Sequence, residues 1–147
     1  KLHILTDSFG SGNLVYIANK KIPILKNSIF ILDGDQDQAL KNNKCPRVLL
    51  LPDNKRPEDI FYDFLRNLPA NDVFWGGTGS YTQQFCFRDL PNISNNREIM
   101  KQWFRNQAPF WGRGCSKLFN RWKNDNNNVS DEFSKEFQKT LDKILKE

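Results

Sequence analysis

Ser28-Ile-Phe-Ile-Leu32 runs into Asp33-Gly-Asp35 without a charged residue, and this junction constrains the fold more than any other stretch. A short, mostly apolar, β-prone run closed by a turn signal reads as a buried strand of a parallel sheet. In open α/β sheets ligands gather outside the carboxyl ends of the strands, so carboxylates placed there stand at the mouth of a site. Side chains alternate along a strand with period two, which predicts that Asp33 and Asp35 share a face. Asp37 has the same parity but lies past the turn. Gly34 lets the backbone bend sharply or come close to a ligand. Hard oxygen donors grouped in this way suit Mg²⁺, which favours octahedral oxygen coordination and keeps several waters. The same residues also suit a solvated turn, since Asp and Gly are the usual turn formers. Spacing alone leaves both readings open.

The surrounding pattern supports a layered α/β arrangement. Leu2–Thr6 reads as a strand, the polar loop Asp7–Asn13 follows, and Leu14, Ile17 and Ala18 mark one face of a helix over 13–21. The Gly10-Ser-Gly12 loop lacks the P-loop lysine and the dinucleotide spacing, so it reads as a plain strand-to-helix loop. After Pro23 comes the strand Ser28–Leu32, then a polar loop over 36–44, then a strand over Arg47–Leu51. Pro57 with Glu58 and Asp59 behind it is a strong helix start, and Ile60, Phe61, Phe64, Leu65 and Leu68 form its apolar stripe. This order predicts an α/β core over 1–70. Beyond Pro69 the character changes to a helical, aromatic-rich extension over 71–147, packed on that core. Within it Asp72–Trp75 suggests a short strand, and Asn95 with Glu98 suggests the start of a helix. The Asn-rich stretch over 124–128 reads as a loop, and Ser130 as the cap of a last amphipathic helix.

Composition narrows the chemistry. The 147 residues suffice for one domain with its own core. The first residue is not Met and opens directly on a strand-like run, which suggests a piece of a longer chain whose domain begins upstream. Cys45, Cys86 and Cys115 are odd in number and widely spaced, so neither a disulfide framework nor a zinc pair is indicated, and reduced thiols in the cytoplasm are expected. The single histidine, His3, sits in an apolar run and reads as a core or edge residue, which argues against Ser-His-Asp and Cys-His catalysis. No apolar run of about 18 residues is present, so no membrane partner is expected.

The formal net charge of +5 raises the prospect of nucleic acid as a partner. Over 101–123 Lys101, Arg105, Arg113, Lys117, Arg121 and Lys123 interleave with Trp103, Phe104, Phe110, Trp111, Phe119 and Trp122. Such interleaving serves phosphate contact and base stacking, or equally a core face and a solvated face of one helix. Lys117 and Arg121 lie four apart, within reach of one phosphate, and a lysine there can stabilise charge developing on a phosphoryl group. Glu58 sits at the start of the helix that follows the third strand. It either favours the helix dipole, a contribution of roughly 0.3–1 kcal/mol, or completes a metal site. Paired metals about 4 Å apart are a common device for cutting phosphodiesters.

The strand–loop–helix followed by a strand ending in Asp33-Gly-Asp35 resembles the later part of a Toprim fold, found in topoisomerases, DnaG-type primases and the overcoming-lysogenization-defect (OLD) nucleases. In that pattern a first strand ends in a catalytic Glu, and a later strand ends in Asp-x-Asp. Here Leu2–Thr6 resembles the second strand and Ser28–Asp35 the third. Glu58 is the first Glu in the chain, so the family's glutamate either lies upstream or is lost. Leu51-Pro-Asp-Asn-Lys-Arg-Pro-Glu58 is similar to the segment of ATPase-linked OLD nucleases in which an acidic residue follows the Asp-x-Asp strand.

The resemblance implies a mainly parallel sheet flanked by helices, with the helical extension placed by analogy. It implies Mg²⁺- or Mn²⁺-dependent endonuclease or nickase activity on DNA, with Asp33, Asp35 and Glu58 as metal ligands and Lys117 as the phosphate-contacting lysine. It further implies an upstream ABC-type ATPase domain that binds ATP, homo-oligomer formation, a role in anti-phage defence and a second defence protein as partner. Two rivals stand beside it. Haloacid-dehalogenase phosphotransferases also carry a strand ending in Asp-x-Asp, but a Gly-Thr turn follows there, whereas Gln36-Asp37 follows here. A degenerate Toprim-like domain, lacking the glutamate, would serve as a docking platform for a nuclease or a nucleic acid.

Overall fold

The computed structural model describes residues 11–20, 22–41, 45–76, 81–90, 92 and 95–146. The strand expected over Leu2–Thr6, with His3, and the glycines of the 77–80 loop lie outside the described residues. The chain is mixed α/β and mostly helical, with a two-stranded parallel sheet. It divides into two compact units, Lys1–Lys55 with Asp131–Glu147, and Arg56–Ser130.

In the first unit helix α1 spans Ser11–Asn19, strand β1 Phe30–Leu32, helix α2 Asp37–Lys41 and strand β2 Val48–Leu50. The strands are parallel, pairing Phe30 with Val48, Ile31 with Leu49 and Leu32 with Leu50. The Phe30 amide donates to the Arg47 carbonyl and the Leu51 amide to the Leu32 carbonyl, both at 2.8 Å, extending the ladder at each end. Both strands are shorter than the apolar runs that announce them. Parallel neighbours need a crossover of a dozen or more residues, usually helical. Part of the stretch read as a loop over 36–44 accordingly folds as α2.

Val15, Ala18, Leu32, Cys45 and Val48 form the buried core, with Leu14, Phe30, Leu40 and Leu50 packed against it. Helix α1 begins at Ser11 rather than Asn13, so Ser11 and Gly12 are already helical. Arg47 ties its end down. Its guanidinium donates to the carbonyls of Ala18 at 2.6 Å and Leu25 at 2.7 Å. Three acceptors that helix and turn ends leave open are thereby served by one cation, since Lys26 also accepts at 3.2 Å.

The second unit is helical and aromatic. Helix α3 spans Pro57–Asn67, α4 Gln83–Cys86, α5 Arg97–Gln107 and α6 Ser116–Asp125. Helix α3 starts where Pro57 marks it, and it packs with α5 and α6. The helix that the sequence places at the end of the α/β part thus belongs to the aromatic unit. Its core joins Tyr62, Leu65, Phe74, Trp75, Tyr81, Cys86, Phe87, Met100, Trp103, Trp111 and Leu118. Tyr62 and Trp103 meet edge to face at 5.4 Å, Phe87 stacks on Trp103 at 5.6 Å, and Trp103 meets Trp111 at 5.9 Å. Aromatic pairs in these geometries add about 0.5–1.5 kcal/mol each beyond their buried area.

Several local expectations shift by a residue or change type. Asn96, not Asn95, caps α5, its side chain accepting from the Glu98 and Ile99 amides. Asp72–Trp75 is a turn, because the Asp72 carboxylate accepts the Phe74 amide at 2.8 Å and bends the chain back on itself. The Asn-rich loop shrinks to a break at Asn126, whose amide side chain donates to the Trp122 carbonyl at the end of α6. Helix α7 then runs over Asn127–Lys146, so Ser130 lies inside it rather than at its cap. Within it Ile144 is buried, whereas Leu145 is 70% exposed.

Candidate functional site

Strand β1 ends at Leu32. Asp33 is still extended, with φ −56° and ψ 146°, and Gly34–Gln36 forms one turn of 3₁₀ helix leading into α2. The period-two argument therefore stops before Asp35, and the two carboxylates stand on either side of a bend. The bend has a packing cause. A Cβ on Gly34 would meet the carbonyl oxygens of Leu51, Pro52 and Lys55 at 2.7, 2.8 and 2.9 Å. Only glycine lets the acidic turn sit this close to the turn that follows β2. That second turn holds Asp53 and Asn54 at φ 71° and 50°, left-handed conformations that Asp and Asn adopt more readily than other side chains.

Asp33 and Asp35 are both half-buried at the carboxyl end of β1. One Asp35 oxygen accepts from the Gln36 side-chain amide at 2.7 Å, which leaves the carboxylate further lone pairs. Carboxylate oxygens are the kind of donor Mg²⁺ takes, and proteins often hold that ion through one or two carboxylates with waters completing the shell. Glu58 belongs to the other unit, half-buried in the first turn of α3 beside Asp59. Asp59 is held by Arg56 through two bonds of 2.6 and 2.7 Å. Among the described residues no group of three or more His, Cys, Asp or Glu side chains is placed to hold a metal.

Lys117 also lies in the second unit, one residue into α6. Its ammonium donates to the Phe74 carbonyl at 2.6 Å and sits 4.8 Å from the centre of the Phe74 ring. Arg121, one turn on, grips both Asp72 oxygens at 2.6 and 2.9 Å, and Asp125 at 2.9 Å. The pair read as reaching one phosphate is thus engaged in holding the 72–75 turn. The Arg121 guanidinium and the Phe74 amide keep the Asp72 carboxyl below its usual range, and the bonds to Asp72 and Asp125 raise the Arg121 value.

Sequence reasoning did not find a buried polar chain in the second unit. Trp111 Nε1–H donates to the Tyr81 hydroxyl at 2.8 Å, and that hydroxyl donates to Gln107 Oε1 at 3.2 Å. Burial raises Tyr81 far above the ordinary phenol range and pushes the neighbouring Cys86 thiol up to about 11. These groups are spaced as ordinary core residues along the chain, so no local signal announces them.

No protein-family model matches the chain, and neither a curated protein nor a solved structure is significantly similar to it. Among the described residues no helix is long and apolar enough to cross a membrane.

Proposed function

We propose that the chain carries the acidic turn of a Toprim-like, Mg²⁺-dependent DNA endonuclease or nickase of the OLD kind, working with an ABC-type ATPase domain in anti-phage defence. The observation that carries this reading is the place of Asp33-Gly-Asp35. It closes a strand that has a parallel neighbour, and the turn after that neighbour packs against Gly34. In α/β proteins such strand ends are where ligands are bound. Asp33 and Asp35 would hold the cation, which when bound supplies Lewis-acid stabilisation of phosphoryl charge. Glu58 as a further ligand and Lys117 as a phosphate contact belong to the proposal through the family resemblance.

A second reading, a docking platform without activity, is favoured by the aromatic-rich second unit. Two measurements separate the readings. Mn²⁺ binding followed by electron paramagnetic resonance is expected for the parent and weakened at least tenfold in Asp33→Asn and Asp35→Asn. Mg²⁺-dependent nicking of supercoiled plasmid is expected to vanish in the same variants. Binding and nicking equal to the parent in both variants sink the acid-pair assignment. A parent that neither binds Mn²⁺ nor nicks leaves the platform.

A further inference from the structure

Phe110 is one of the large apolar side chains left partly open to solvent among the described residues. It lies in the 3₁₀ turn Ala108–Trp111 and stacks on Tyr81, with ring centres 4.6 Å apart and planes within 10°. Phe85 closes one side edge-on at 5.3 Å. One face and one edge are covered, yet 43% of the residue remains open to solvent. The supporting ring cannot drift, because the Tyr81 hydroxyl is bonded to Trp111 and Gln107 inside the core. Beside it the Arg88 guanidinium lies 4.3 Å from the centre of the Phe85 ring, with its side chain 59% exposed.

We infer that Phe110, backed by Tyr81 and flanked by Phe85 and Arg88, is a stacking platform for a base of single-stranded nucleic acid. A flat π-face held rigidly and open on one side accepts a base at little entropic cost. Arg88, one ring away and paired with the exposed Asp89 at 3.2 Å, can exchange that surface partner for the phosphate of the same nucleotide, and its planar cation can itself stack. Charge favours this occupant over a protein. The chain carries a net +5, and the exposed Arg105 and Arg113, on either side of Phe110 in the sequence, pair with no carboxylate among the described residues. This platform does not depend on the acid pair.

The test uses the whole chain with EDTA present, so the fate of the metal reading does not enter. Fluorescence anisotropy is measured with a labelled oligodeoxythymidine of roughly 12 nucleotides, within the site size of single-strand binders, and with an abasic strand of equal length. The parent is expected to bind the thymidine strand more tightly. Phe110→Leu keeps an apolar side chain but no π-face. It is expected to weaken thymidine binding about 5- to 150-fold, the range of one base–aromatic stack, and to leave abasic binding unchanged. Phe110→Trp is expected to retain tight binding. Arg88→Ala is expected to weaken binding and lower the salt slope by about one. If Phe110→Leu fails to fold by circular dichroism, Phe110→Trp and Arg88→Ala decide the matter. Equal affinity for both strands, unchanged binding by a folded Phe110→Leu, or no binding by the parent overturns the inference.

Discussion

Replacing Gly34 by alanine sets a methyl group against three backbone carbonyls, none of which can swing aside as a side-chain end would. Overpacking of this kind typically costs about 1–3 kcal/mol. The cost falls on the junction between the acidic turn and the 52–55 turn, so the strand ladder beside it is where the damage is expected. Hydrogen exchange at the Leu51 amide, which donates to the Leu32 carbonyl, is the measurement. Gly34→Ala is expected to speed that exchange by one to two orders of magnitude, the equivalent of about 1–3 kcal/mol. Exchange at the parent rate would mean that the close approach does not hold the turn. The sequence marks Gly34 only as a turn residue. That it is also a contact residue follows from carbonyls 17 to 21 positions further along, which no local pattern reveals.

Helix α6 acts on the chain far from itself. Through Lys117 and Arg121 it fastens the 72–75 turn, with the Asp72 carboxylate receiving a forked guanidinium and a backbone amide. Bidentate charge-assisted bonds of this type are the stronger class, and the loss of one partner costs about 1–3 kcal/mol. The pH dependence follows from the depressed Asp72 value. A carboxylate with a lowered folded-state pKa contributes stability above its unfolded value, near 4, and loses it as pH falls through the folded value. Urea denaturation followed by tryptophan fluorescence reads this unit, which contains Trp75, Trp103, Trp111 and Trp122. Asp72→Asn is expected to lower stability at pH 7 by about 1–3 kcal/mol and to flatten the decline below about pH 4. An acid limb as steep as the parent's would assign the loss to other carboxylates. Arg121→Lys is expected to recover only part of the parent's stability, since an ammonium cannot form the fork.

Across the whole molecule the three thiols report on each unit in turn. Cys45 is buried in the first unit, Cys86 is fully buried in the second, and Cys115 is partly exposed. Only a thiolate attacks, and burial raises both Cys86, to about 11, and Cys115. At pH 8 a maleimide reagent is expected to modify Cys115 first. Cys86 and Cys45 should follow only as fast as their own units open, which mass spectrometry of timed samples resolves. Modification of Cys86 as fast as Cys115 would show that the aromatic core is not closed over it.

What the sequence determined by itself is what neighbouring residues can signal. Pro57-Glu58-Asp59 starts α3 at the marked position, the apolar runs locate both strands, the Asn–Glu start signal finds α5 to within a residue, and amphipathic patterning finds α7, because each is a property of a few consecutive side chains. Asp33 and Asp35 were legible as an acidic turn at a strand end on the same grounds. Tertiary structure alone decided the rest. It cut each strand to three residues, folded α2 in the crossover, placed Glu58 and Lys117 in the aromatic unit, and stacked Phe110 on Tyr81. These outcomes rest on partners such as Phe74 and Lys117, 43 positions apart, or Asp72 and Arg121, 49 apart. Local propensity carries no record of such distant pairs; only the closing of the core selects them.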